Sequence, residues 1–512
     1  MSEKEYIVSL KRDVDASNFK AEMTQSSGDT NIPNRSVDVA NERLLSTRNT
    51  HYSLTDEEAT QLKNDSRVAD VHIPPEQDDD LVIDLFATQS ADFTKTTSDS
   101  GNYVNWGLRR CITNSNPYSG NTVSGDYTYN LDGTGVDVII QDSGLQVDHP
   151  EFNDASGTSR VQQINWYTES GVSGTQSSNH YRDYNGHGTH VGGTAAGLTY
   201  GWAKNARVYA LKVSGLEGTG DSGGIGVSDC FDVIKGWHNN KTVDPATGYK
   251  RPTIVNMSWG YGTYTANCNG CEYRGTSYGG WTGIGRNTTI GIVGSYRSST
   301  YGYRLGTRIT SVDTDIQELI DAGIHVCIAA GNYYQKIDVP SGADYNNWFN
   351  RGAGNIYYHR GSSPSDDEAI LVGNMDSTVH SGGLEQKASS SENGPGVDIY
   401  APGTNVMAAC STTTEFTAGT YPQNSSYKIC NISGTSMASP QVCGVGALLL
   451  QANPHSTPAQ LKAQLIATCQ TNAIYSTGSD TDYAVSRSIK GGNNRFLVNP
   501  FASEYKYRIQ NT

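Results

Sequence analysis

Three short segments carry the residue types that nucleophilic chemistry needs. In Val138-Ile-Ile-Gln-Asp142-Ser-Gly144 a carboxylate follows an apolar run, at the carboxyl end of a predicted strand, where open α/β sheets place their sites. In Asn185-Gly-His187-Gly-Thr-His190-Val-Gly-Gly-Thr-Ala-Ala-Gly197 two histidines three apart share a helix face, and the small residues after them allow close packing. In Ile432-Ser-Gly434-Thr-Ser436-Met-Ala-Ser-Pro440 a glycine lets the chain turn into a buried helix that puts Ser436 at its N-terminus. Free N–H groups and the helix dipole favour a developing negative charge there.

Each segment alone has a plainer reading. Asp142 suits a turn before glycine, His187 a structural core position, and Ser436 a helix cap. A metal reading of the two histidines lacks a third ligand and an HExxH pattern. Together the segments supply a carboxylate, an imidazole and a hydroxyl, the set that activates a serine for acyl transfer.

The elements that must position them are strands near 136–140, 207–213, 254–257, 325–329 and 369–372, with helices over 187–197, 226–238 and 311–322. Apolar strands alternating with helices predict an α/β domain whose parallel sheet is covered on both faces. Residues 5–73 read as a smaller α+β unit. It has strand runs at 6–10 and 67–73 and a helix over 56–63 capped by Thr55, with Glu58 completing a capping box. Pro74-Pro75 opens an acidic, Ser/Thr-rich stretch. The expected division is 1–78, a linker over 79–104, and a large domain over 105–512. Two segments break the alternation, 261–306 (rich in Gly, Tyr and Thr) and 333–363, and both read as long surface insertions.

Composition excludes several classes. Thirty-seven Lys plus Arg against 52 Asp plus Glu leave a net charge of −15, which argues against a nucleic-acid partner. No run approaches 18 apolar residues, so no membrane span is expected. The start MSEKEYIVSLKRDVD has no apolar core of a secretory signal, so an intracellular, virion-associated or unconventionally secreted protein is expected. Reduced thiols are then the default for the nine cysteines. Cys268 and Cys271 have zinc-ligand spacing without a second pair, so a loop with incidental thiols is preferred. Cys410 and Cys430 bracket a Ser/Thr-rich insertion and could face each other across a hairpin.

The order Asp, His, Ser along the chain matches the subtilisin arrangement. On these motifs the chain resembles a subtilisin-like serine protease (a subtilase) of the proteinase K branch. Trp106-Gly-Leu-Arg-Arg110 resembles the start of that branch's catalytic domain, and Gly197-Leu-Thr-Tyr-Gly-Trp-Ala-Lys-Asn-Ala-Arg-Val-Tyr-Ala-Leu-Lys-Val213 resembles its strand segment. The resemblance covers about 106–500, the insertions excepted.

The resemblance implies a subtilisin-like catalytic domain with Ser436 as nucleophile, His187 as general base and Asp142 as the carboxylate that orients it, His190 being structural. Asn332 matches the oxyanion-hole asparagine. Ser258, Trp259 and Gly260 match the edge strand that pairs with an extended substrate, with Trp259 narrowing the S2/S4 pockets and Tyr333 altering the S1 rim. Residues 5–73 resemble the family's ferredoxin-like inhibitory propeptide, which acts on its own chain and is cut somewhere in 74–104. The partners implied are a polypeptide substrate and that propeptide in cis; composition alone adds an assembly partner for 261–306. No cofactor is required for catalysis. A structural calcium would be held by Asp398 and the carbonyls of Asp367 and Ala369. The loop of the strong subtilisin calcium site is missing after Gly197, and Gln441 replaces the histidine usual after the serine motif. The competing reading is a catalytically silent or propeptide-locked subtilase fold that serves as a structural or binding module.

Overall fold

The computed structural model describes residues 2–79, 81–85, 88–89, 105–113, 115–116, 127, 129–281, 290–292, 297–298, 302–352, 354–477 and 486–501. The N-terminal unit is an antiparallel sheet of β1 (Lys4–Leu10), β2 (Val39–Asn41), β3 (Asn49–Leu54) and β4 (Val68–His72) in the order β2-β3-β1-β4, with α1 (Ala16–Gln25) and α2 (Asp56–Leu62). Alternation in β3 sends Tyr52 and Leu54 to one face, a register shift in the β1–β4 pairing adds both Val68 and Val71 to it, and Phe19 and Met23 of α1 close a separate core there. The capping box forms as expected: Glu58 N–H donates to Thr55 Oγ1 and Thr55 N–H to Glu58 Oε2.

The stretch expected as an exposed linker is not wholly one. It supplies β5 (Val82–Leu85) and β6 (Thr88–Gln89), both paired to the large domain; 80, 86–87 and 90–104 lie outside the described residues. The large domain opens with α3 (Trp106–Arg110). Its sheet has a parallel centre of β7 (Asp137–Asp142), β8 (Arg207–Lys212), β9 (Thr253–Met257), β15 (His325–Ala329), β18 (Ile370–Val379) and β20 (Ile399–Pro402). The spatial order β20-β18-β15-β9-β7-β8 reverses direction at β7. The crevice between β7 and β9, at their carboxyl ends, is therefore the switch point where such sheets bind ligands. β19 (Glu385–Lys387), β24 (Gln470–Thr471) and β25 (Arg495–Phe496) extend the edges. The helices are α4 (Trp166–Ser170), α5 (His187–Ala196), α6 (Val227–Asn240), α7 (Thr310–Asp321), α8 (Thr435–Ala452) and α9 (Pro458–Thr468). α8 is buried along nearly its whole length, its polar residues falling mostly in the first two turns, and packs against the central strands.

The two insertions are not independent surface loops. Residues of the first form β10 (Trp259–Tyr264), β11 (Cys268–Tyr273), β12 (Thr276–Trp281), β13 (Arg297–Ser298) and β14 (Gly302–Gly306), and the second adds β16 (Trp348–Asn350) and β17 (Asn355–Tyr357). β12-β11-β16-β17 is one sheet over a small core of Cys271, Ile290, Leu305, Phe349 and Tyr358. β11 has a neighbour on each side, whereas β12, of the same segment, is the edge strand of that sheet; 282–289, 293–296 and 299–301 lie outside the described residues. Cys268 and Cys271 sit on β11 rather than in a loop, both buried. Near the site, β21 (Val406–Cys410), β22 (Gly419–Thr420) and β23 (Lys428–Ser433) form a further sheet. A Cys410–Cys430 disulfide spans β21 and β23, so reduced thiols do not hold for that pair.

The N-terminal unit docks on α6 and α7 through charge. The Arg43 guanidinium bonds both oxygens of Asp232 (2.7 and 3.1 Å) and Asp315 (2.9 Å), all buried. Thr47 donates to Glu318, and Asn49 to Asp315 and the Ser311 carbonyl. Glu76 accepts the Val227 N–H at the start of α6 (3.1 Å).

Candidate active site

Asp142 ends β7 and His187 begins α5. His187 Nδ1 lies 2.7 Å from Asp142 Oδ1, and both side chains are fully buried. Two glycines make the approach possible. Gly186 adopts φ 91° as the cap of α5, and a Cβ on Gly188 would stand 2.0 Å from the Gly144 carbonyl oxygen. Asp142 Oδ1 also accepts the Ser143 N–H (2.7 Å), while its Oδ2 has no hydrogen-bond partner among the described residues. The turn is held by a residue the sequence motifs passed over. Buried Asp183 accepts from Ser143 Oγ (2.9 Å), Gly186 N–H (2.8 Å), Thr189 N–H (2.8 Å) and Thr189 Oγ1, and Ser143 Oγ accepts the Gly188 N–H. Burial still pushes its carboxyl above the ordinary range. Its place three residues before Gly186 is the one trace it leaves in the sequence.

His190 points away from this pair. Its Nε2 meets the carbonyls of Val406 (2.9 Å) and Cys430 (3.2 Å), and burial lowers it to about 3, so it is neutral.

Ser436 stands in the first turn of α8. Its hydroxyl donates to the Ser258 carbonyl at 2.9 Å, and His187 Nε2 has no partner among the described residues. The expected Ser–His hydrogen bond is thus not made here; a rotation of the serine side chain would be needed to form it. Pro440 explains a second contact. Lacking an N–H, it leaves the Ser436 carbonyl unpaired in the helix, and Ser258 Oγ fills the gap at 2.9 Å. Asn256 donates to Ser258 Oγ (2.8 Å) and accepts from Ser439 Oγ (2.8 Å). The end of β9 is thereby tied to the start of α8. No motif marks Asn256, whose role rests on contacts 183 residues apart.

Asn332 follows β15. Its Oδ1 accepts from Thr435 N–H (3.1 Å) and Thr435 Oγ1 (3.2 Å), which leaves the amide hydrogens to donate beside the Ser436 N–H. Gln441 binds Trp202 Nε1 (2.7 Å) and Asn105, away from Ser436. Trp259 is fully buried and meets Tyr261 edge-on at 5.9 Å; Tyr333 is also buried. The strand expected to receive substrate already has a partner. β5 pairs antiparallel with β10, Leu85 opposite Trp259 and Asp84 opposite Gly260; β6 pairs with β23, Thr88 opposite Ser433.

The expected calcium ligands do not fit a divalent ion. Lys462 Nζ, on α9, bonds the Asp367 carbonyl (2.8 Å), the Ala369 carbonyl (2.7 Å) and Asp398 Oδ2 (2.8 Å). An ammonium sits among all three, where a second cation would be repelled.

A parallel sheet with an Asp–His pair at its switch point, and a serine on the N-terminus of a buried helix beside it, is the architecture of a serine hydrolase. Residues 133–489, well over half of the chain, match the subtilase family, and the chain belongs to that family of serine proteases. An extracellular serine proteinase of Thermus sp. (strain Rt41A) is 28% identical over 425 residues, covering 83% of this chain and 71% of that protein. An alkaline serine exoprotease A of Vibrio alginolyticus is 26% identical over 425 residues, covering 83% of this chain and 56% of its own length. Fervidolysin from Fervidobacterium pennivorans, described as a keratinolytic enzyme related to subtilisin, shares the fold with a TM-score of 0.55 at 16% identity, over 99% of this chain and 61% of that one. The Thermus relative is named an extracellular proteinase, which overturns the intracellular expectation drawn from the N-terminus. The Cys410–Cys430 disulfide agrees with the correction, since such bonds persist in oxidising surroundings.

Proposed function

We propose that the chain is a serine endopeptidase made as a self-processing zymogen. Ser436 Oγ turns from the Ser258 carbonyl to His187 Nε2, gives up its proton there and attacks the scissile carbonyl. Asp142 holds the His187 tautomer and stabilises the imidazolium without taking the proton. The Asn332 amide and the Ser436 N–H donate to the oxyanion at the positive end of α8. His187 then protonates the leaving amine, and water releases the acyl group by the reverse path. The substrate is an extended polypeptide laid along Ser258, Trp259 and Gly260, with Trp259 narrowing S2/S4 and Tyr333 shaping S1. The group needs no cofactor.

Residues 1–78 act as the propeptide and 105–512 as the catalytic domain, with the cut inside the span 79–104. The observation that carries this reading is the placement of β5 and β6. The chain runs along the substrate strand at Leu85 and leaves beside Ser433 at Thr88, while Ser436 lies fully buried between them. Three residue steps reach about 10 Å, so the register supports a cut between Leu85 and Thr88; residues 86 and 87 lie outside the described residues.

The test is Ser436→Ala. Wild type should label with phenylmethylsulfonyl fluoride, digest an unfolded protein and yield a new N-terminus at 86, 87 or 88, while the variant stays whole and inert. Digestion by the variant would overturn the assignment. An active wild type cut elsewhere would overturn the register alone, and an intact, inert wild type would favour the propeptide-locked reading.

A further inference from the structure

The cage around Lys462 stands apart from the catalytic crevice, at the amino ends of β18 and β20. Its three oxygens come from separate pieces of chain: the Asp367 and Ala369 carbonyls precede β18, and Asp398 precedes β20. Lys462 arrives from the second turn of α9, whose start is fixed by a capping box between Thr457 and Gln460. An ammonium has three donors, and here each meets one oxygen at 2.7–2.8 Å. Asp398 Oδ2 also accepts the Leu371 N–H (2.9 Å), and the Asp398 N–H returns to the Leu371 carbonyl (3.0 Å). Both charged side chains are more than four-fifths buried. With the ammonium present the cage is satisfied and nearly neutral. Without it, a partly buried carboxylate and two loop carbonyls would face one another with no positive charge among them. Burial already pushes the Asp398 carboxyl up.

The same device recurs after α5, where the family's calcium loop is absent from the sequence. Lys204 Nζ gathers the carbonyls of Leu198 (2.6 Å) and Gly201 (2.7 Å), and burial lowers it to about 8. Loop carbonyls turned toward one point need a cation, and at both places the chain supplies its own.

We propose that Lys462 is a tethered cation that takes the place of calcium, so that the junction of α9 with β18 and β20 is held without a divalent metal. Calcium needs six to eight oxygens at about 2.3–2.6 Å. Three oxygens spaced around an Nζ offer neither the number nor the charge. Removing the ammonium while keeping the oxygens should open a vacancy that a free divalent ion fills with water completing its shell.

The experiment is thermal unfolding of the full chain in calcium and in chelator, in a Ser436→Ala background to keep it uncut. It reads stability, so it stands whatever becomes of the proposed catalytic roles. The quantity read is the Tm in calcium minus the Tm in chelator, compared between variants. Lys462→Ala should lower the Tm in chelator and show a calcium gain several degrees larger than the Lys462 chain. Lys462→Glu, which adds a ligand oxygen, should show the largest gain and serves if the alanine variant does not fold. Equal or smaller gains in both variants would overturn the proposal, as would calcium binding to the Lys462 chain that disappears on Asp398→Asn.

Discussion

The N-terminal unit closes on an apolar core of its own, with Phe19, Met23, Leu54, Leu62 and Val71 inside, whereas its seam with α6 and α7 is built of ions and amides around Arg43. In the large domain β7, β9, β15, β18 and α8 meet largely through Ile140, Met257, Ile328, Val372 and Leu448, with the uncharged bonds of Asn256, Ser258 and Ser439 as a local polar tie. Separating apolar faces exposes surface that water disfavours throughout, while separated ions regain hydration. The difference is one between two apolar cores and the polar joint that connects them.

That contrast can be broken at the joint first. Arg43→Ala leaves Asp232 and Asp315 buried without their cation, and loss of one partner of a buried ion pair costs about 3–5 kcal/mol. The N-terminal fragment should then bind the processed large domain roughly a hundred- to several-thousandfold more weakly, measured by its inhibition of peptide hydrolysis. Leu54→Ala instead empties the small core and should remove about 2–5 kcal/mol from the N-terminal unit, seen as an earlier first unfolding transition while the large domain melts unchanged.

Acid should separate the two bodies further. In the large domain burial lowers His190 and His238 to about 3, and His180 and His325 to about 4, against 6.5 unfolded. Folded pKa values below unfolded ones mean stability that is full above about 6.5 and is lost as pH falls toward 4 and below. The N-terminal unit has one such histidine among its described residues, His51, while hydrogen bonds hold Asp56, Glu58 and Asp65 below the ordinary carboxylate range, so their loss of stability comes only at lower pH. The large domain's Tm should therefore fall more steeply than the small unit's between pH 7 and 4, in a calorimetric pH series. The smallest effect is expected from Thr55→Ala, which removes the capping box of α2 for about 1 kcal/mol and should shift the first transition only.

Much of this was legible along the chain. The central strands and the helices at 187, 227 and 310 appear within a few residues of where periodicity puts them, because burial on a sheet or helix repeats over short spans. The segments holding Asp142, His187 and Ser436 were legible for a similar reason: turn glycines and helix starts are local chemistry. The pairing of the two insertions was not, since β11 and β16 lie more than seventy residues apart and neither carries a strong alternating pattern. Nor was the fate of 81–89: its short apolar run Leu81-Val-Ile-Asp-Leu85 sits at the head of a stretch read whole as acidic and Ser/Thr-rich, and its two strands find partners far down the chain in β10 and β23.

Residue identity by itself determined the class of chemistry and the family, since each is written in neighbours a few positions apart. Only the tertiary structure decided that Ser436 rests on the Ser258 carbonyl, that Asp183 locks the turn before His187, and that Lys462 stands where calcium was expected. Lys462 is sixty-four residues from Asp398. A lone lysine on an amphipathic helix looks like any other until folding brings three oxygens around its charge.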